Sequence, residues 1–70
     1  MLRRNFTQSL RRMRKARGLS QGSLASRAKV TPSYISELER DNKSPSLEAI
    51  ESIAKGLGVS PIVMLAGEKS

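Results

Sequence analysis

Cysteine, histidine and tryptophan are absent from this 70-residue chain, and phenylalanine and tyrosine occur once each. Without cysteine there are no disulfides, no thiolate metal sites and no thiol nucleophile. Without histidine, zinc chemistry and imidazole acid–base catalysis have no residue to run on, so no cofactor and no metal are expected. Glu48 and Glu51 form the sole carboxylate pair worth weighing, three residues apart on one helix face. They lack a further ligand or base, read as two solvated acids, and leave the chain expected not to be an enzyme. No apolar run approaches the ~20 residues of a membrane span, and no signal-peptide core is visible. A cytoplasmic location is expected, with no membrane partner.

What is abundant is positive charge, and it is lopsided. Residues 1–30 carry nine Lys/Arg and no acid, whereas residues 31–70 carry four bases against six acids, giving +7 for the whole. Such a basic segment is expected to meet a polyanion. The other reading is a solvated charged face. A membrane-surface peptide fits poorly, because the bases do not gather on one face of an amphipathic helix. Seventy residues allow one domain with a small core, which favours short, well-capped helices.

Residues 21–40 read as two short helices meeting at a tight turn. Leu24, Ala25 and Ala28 share one helical face, and Ile35 and Leu38 repeat the pattern three residues apart. Ala25 is small enough to let a second helix cross closely. Ser20 suits the N-cap of the first helix, and Thr31 followed by Pro32 is a cap-plus-N1 pair that starts the second. Spacing alone fits either a DNA-reading pair or an ordinary helical hairpin in a bundle. The polar outer face of the second helix on a basic chain favours the groove of DNA.

Three further helices complete an all-α, compact five-helix reading. Phe6, Leu10 and Met13 form the stripe of the first helix, and Gly18 suits its C-terminal stop. The second and third helices are expected at about Gln21–Ala28 and Pro32–Arg40. Ser46 caps the fourth, with Glu48 in its first turn and Leu47, Ile50, Ile53, Ala54 and Leu57 along it, closed by Gly58. Ser60-Pro61 opens a last short helix, Ile62 to Leu65, stopped by Gly67. The expected domain is residues 1–70, with a core of about 6–66.

The run Phe6, Leu10-Arg11-Arg12-Met13-Arg14, Gly18-Leu19-Ser20-Gln21, Leu24-Ala25, Tyr34-Ile35-Ser36-Glu37-Leu38-Glu39-Arg40, Pro45-Ser46-Leu47, Ile53-Ala54 and Leu57-Gly58-Val59-Ser60 resembles the phage repressor/Cro-type (Xre-like) helix-turn-helix family. The resemblance covers about Phe6 to Leu65. No single residue is diagnostic, but the combined spacing is a strong signal. It implies a sequence-specific double-stranded DNA-binding transcriptional regulator, a repressor-like domain associated with the nucleoid.

The resemblance also implies residue roles. Base readers map onto Pro32, Ser33, Ser36 and Glu37, with Tyr34 alongside. Pro32 has no donor and can only position the helix or touch a thymine methyl. Ser33 can bond either kind of base-edge group, and Glu37 can accept from a cytosine amino group. For Tyr34, partial packing with a wet hydroxyl stands beside DNA contact, and for Ser33 and Ser36 plain helix surface is the other reading. Gln21 maps onto a phosphate ligand at a helix N-terminus, where free N–H groups already favour an anion. Arg40, Asn42, Lys43 and Ser44 map onto a second phosphate strip, and Arg11, with Arg3 or Arg4, reaches the flanking backbone. Arg14 and Glu39 map onto a buried ion pair that fixes the angle of the third helix. Two exposed charges would be the alternative.

Departures from the family pattern are local. Gly22 and Ser23 stand where acids commonly follow the Gln, and Lys29 and Asp41 stand at turn positions often held by glycine, where left-handed backbone is expected. One recognition helix covers only a few base pairs, so a homodimer on a palindromic operator is expected, with half-sites about 34–36 Å apart. Four consecutive apolar residues, Ile62–Leu65, cannot all face one core, and Val63 and Met64 are the candidates for an exposed dimer interface. A wrapped tail that packs all four is the alternative. An antitoxin whose main partner is a protein toxin is the second functional reading, and RNA polymerase is another possible protein partner.

Overall fold

Hydroxyl side chains set where three of the helices begin in the computed structural model, which describes residues 2–66 and the side chains of residues 5–65. The chain runs α1 (Leu2–Ala16), α2 (Gln21–Ala28), α3 (Pro32–Glu39), α4 (Leu47–Leu57) and α5 (Pro61–Ala66). Among the described residues there is no strand. Ser20 accepts the N–H of Ser23 at 2.9 Å, Thr31 that of Tyr34 at 3.1 Å and Ser46 that of Ala49 at 3.0 Å. Each satisfies a donor that a helix start leaves without an intrahelical partner, worth about 1 kcal/mol. The α3 helix ends one residue before the expected Arg40, which serves as its C-cap. Gly67, the expected stop of α5, lies outside the described residues, as do the side chains of Arg3 and Arg4.

Four helices end in the same way. The residues at 18, 29, 41 and 58 all take positive φ, and two of them, Lys29 (60°) and Asp41 (59°), are not glycine. The N–H of the next residue then reaches back five positions: Leu19 to Arg14 (3.1 Å), Val30 to Ala25 (3.0 Å), Asn42 to Glu37 (2.9 Å) and Val59 to Ala54 (2.9 Å). This double-bonded stop consumes carbonyls that a helix end otherwise exposes. Leu19, Val30 and Val59 fold back onto the core from these positions.

All five helices contribute to one hydrophobic cluster. Phe6, Leu10, Leu24, Ile35, Leu38, Ile53 and Met64 are completely buried within it. The α1 helix packs on α5 and α3, while α2 packs on α3 and α4. Gly56 marks the close approach of α4 to α2: a Cβ there would meet Arg27 Cβ at 3.3 Å and the Ala28 nitrogen at 3.4 Å. This packing fixes α3 by its inward residues and leaves its other side bare.

The expected exposure of Met64 at a dimer interface does not hold. Met64 is buried in the core, not exposed, and Ile62 takes its place at the surface at 74% exposure beside Val63 at 44%. Helical phase is the reason, because Pro61, Met64 and Leu65 fall on one face and Ile62 and Val63 on the other. Leu65 and Met64 pack inward, so half of the apolar quartet behaves as a wrapped tail.

Candidate nucleic-acid interface

The α3 helix divides its residues sharply. Ile35, Leu38 and Glu39 are buried, while Pro32 and Ser33 are exposed and Ser36 and Glu37 half-buried. Offsets of one, four and five residues put Pro32, Ser33, Ser36 and Glu37 on a common outward face. Tyr34 is half-buried and packs against the core. Arg11, Arg40, Asn42, Lys43 and Ser44 are all exposed, the last four in the turn that follows α3.

A polar network fixes α3 from behind. Arg14 on α1 donates through Nε to Glu39 Oε2 at 2.6 Å and through Nη2 to Oε1 at 3.1 Å. Its Nη1 donates to the Leu19 carbonyl at 2.8 Å, so the guanidinium is held on both edges. Gln21 on α2 donates through Nε2 to Glu39 Oε1 at 3.1 Å. Three helices therefore converge on one carboxylate whose side chain is 4% exposed. Burial pushes the Glu39 carboxyl up, but the hydrogen bonds from Arg14 and Gln21 and the charges of Arg14 and Arg11 outweigh it and hold it below its ordinary value. The Arg14 guanidinium is correspondingly raised by its hydrogen bond to Glu39, against desolvation.

Gln21 is thus committed in one direction and open in another. A primary amide has two N–H donors, and the bond to Glu39 engages one. The side chain stands at the start of α2, where backbone N–H groups and the helix dipole favour an anion. Sequence reading missed this link, since nothing in periodicity joins residues 18 apart.

The structure brings two residues together that the sequence assigned to different tasks. The Lys43 ammonium lies 3.2 Å from Glu37 Oε1, and 5.9 Å from the centroid of the Tyr34 ring. The reversal at Asp41 returns the chain alongside α3, which is why residues six apart can meet beyond a helix end.

The remaining concavities are less specific. An open cleft of about 550 Å³ between α2 and α4 is lined by Arg27, Ala28, Lys29, Ser52, Lys55 and Gly56. Its cations stand at the C-terminal ends of the two helices, where the dipole favours positive charge. Among the described residues no cluster of acids could hold a metal ion, and no helix is long and apolar enough to cross a membrane.

Two short helices at a tight turn, the second with a buried inner and a polar outer face, define a helix-turn-helix. The helix-turn-helix family model matches residues 10–63. The chain belongs to this family of DNA-binding transcription regulators. It is 36% identical over 63 residues to the immunity repressor protein of Bacillus phage phi105, covering 90% of this chain and 43% of that one. It is 40% identical over 57 residues to the control protein C.BamHI of Bacillus amyloliquefaciens, covering 80% of this chain and 70% of the relative. The restriction-modification controller protein C.AhdI from Aeromonas hydrophila superposes with a TM-score of 0.83 at 37% identity, over 86% of this chain and 91% of that structure. The chain therefore spans less than half the length of the phage repressor and most of the length of the controller proteins. By their names these relatives are regulators, not enzymes.

Proposed function

We propose that this chain is a single DNA-binding domain that recognises a duplex operator by laying α3 in the major groove. The observation that carries this reading is the division of α3, with Ile35, Leu38 and Glu39 locked inside and Pro32, Ser33, Ser36 and Glu37 facing out. Ser33, Ser36 and Glu37 supply the hydrogen-bonding groups that read base edges, Pro32 an apolar contact, and Tyr34 a flanking one. Arg11, Gln21, Arg40, Asn42, Lys43 and Ser44 form the rim that meets the phosphates and sets register. The ion pair of Arg14 and Glu39 fixes the angle at which α3 enters.

One copy carries a single α3, so it reads one major-groove face, and successive faces lie about 34 Å apart. A two-fold pair on a palindromic operator reads two. The exposed Ile62 and Val63 on α5 are the surface on which two copies meet, with Ile62 standing where Met64 was expected.

Titration with duplexes selected from a random pool tests the groove placement. Amide signals of Thr31–Glu37 should shift on binding, and log affinity should fall by about 0.9 per phosphate contact for each tenfold rise in salt. Gln21→Ala should weaken all duplexes similarly, whereas Ser33→Ala should change which duplex is preferred. Unmoved α3 amides in dilute buffer would overturn the reading.

A further inference from the structure

Lys43 stands out because its charge is already occupied in the folded chain. Its ammonium pairs with Glu37 Oε1 at 3.2 Å and lies over the Tyr34 ring at 5.9 Å. An exposed pair of this kind contributes little to folding, since both side chains remain accessible to water. Its place gives it another consequence. Of the acids on α3, Glu39 is turned inward against Arg14 and Gln21, and Glu37 is on the outward face.

We infer that Lys43 is a specificity-determining positioning residue, which holds the Glu37 carboxylate for base reading rather than acting only as a grip on phosphate. The inference rests on α3 being the groove helix. A glutamate side chain that enters a groove bare meets the repulsion of flanking phosphates and rotates among several conformers. Lys43 counters both effects. It neutralises the carboxylate, and it anchors Oε1 while leaving Oε2 as a directed acceptor for an exocyclic amino group such as that of cytosine. Tyr34 restrains the lysine in turn, because an ammonium about 6 Å from a ring centroid is attracted to its face. The three residues form a relay in which the ring places the ammonium and the ammonium places the acceptor. Lysine suits the task through its three donors: one serves Glu37 and the others stay available to a phosphate on the same side.

The test uses the full chain and the duplex selected by the wild type, together with variants of that duplex substituted at each half-site position. Affinities are measured for wild type, Glu37→Gln, Lys43→Ala, the double variant and Lys43→Arg. Lys43→Ala should lose about fivefold or more of the discrimination at the same base pair that Glu37→Gln affects, leaving the other positions alone. The two substitutions should be non-additive, because without the carboxylate there is nothing for Lys43 to place. Lys43→Arg should retain the preference. A uniform loss across all duplexes that simply adds to the effect of Glu37→Gln would overturn the inference and leave Lys43 a phosphate contact. A wild type that binds every duplex alike would instead overturn the reading of α3, and this inference with it.

Discussion

Two side chains sit in a backbone conformation that suits glycine better. Lys29 and Asp41 close α2 and α3 at φ 60° and 59°, where a β-carbon crowds the neighbouring carbonyl at a cost of roughly 1 kcal/mol. Lys29→Gly should therefore raise stability by about 0.5–1 kcal/mol, part of the gain being offset by the freer unfolded chain. A shifted urea midpoint at constant slope would show it, and Lys29→Ala, which keeps the β-carbon, should give no such gain. Both positions were legible as departures from the family pattern, because the double-bonded stop demands that backbone whatever residue fills it. Met64 was not read correctly. That four apolar residues in a row cannot all face one core says that some lie outside but not which, and helical phase from Pro61 puts Ile62 outside in place of Met64.

The elements are joined by polar as well as apolar contacts, and Glu39 is where α1, α2 and α3 meet. Arg14→Ala would strand a carboxylate that is 4% exposed, and should cost about 3–5 kcal/mol. The same network sets an acid limit. Its folded carboxyl titrates below the unfolded one, so the contribution is complete above the ordinary carboxylate range of ~4.3. It is lost as pH falls through the lower folded value. Denaturant unfolding from pH 6 to pH 3 should show this decline, and Glu39→Gln should flatten it while lowering stability near neutrality. Helix starts were well marked in the sequence, since Ser20, Thr31-Pro32 and Ser46 are local signals with local partners. The Gln21–Glu39 and Lys43–Glu37 contacts were not, because each depends on where the chain returns after a turn. The Arg14–Glu39 pair came from family resemblance, as no spacing rule links residues 25 apart.

At the scale of the whole molecule, bases crowd the first 30 residues and the turn after α3, and the exposed large aliphatic side chains are Leu47 at the start of α4 and Ile62 and Val63 on α5. Ile62→Glu with Val63→Glu should keep the melting temperature of the lone domain but sediment as a monomer, and operator affinity should fall more steeply on dilution. A double variant that still sediments as a dimer would move the contact elsewhere. Five helices and their shared core followed from stripes and caps, but a contact between copies leaves no periodic trace in one copy's sequence.

The hydrogen bond from Asn5 Nδ2 to the Leu65 carbonyl, 3.2 Å long and spanning 60 residues, shows how the first and last helices clasp. During synthesis α1 leaves the ribosome first and waits with Phe6 and Leu10 uncovered until α5 emerges. The interior around Phe6 and Leu10 is thus finished only when the last helix of the domain has been translated, whereas the partners of α3 on α1 and α2 are already present before then.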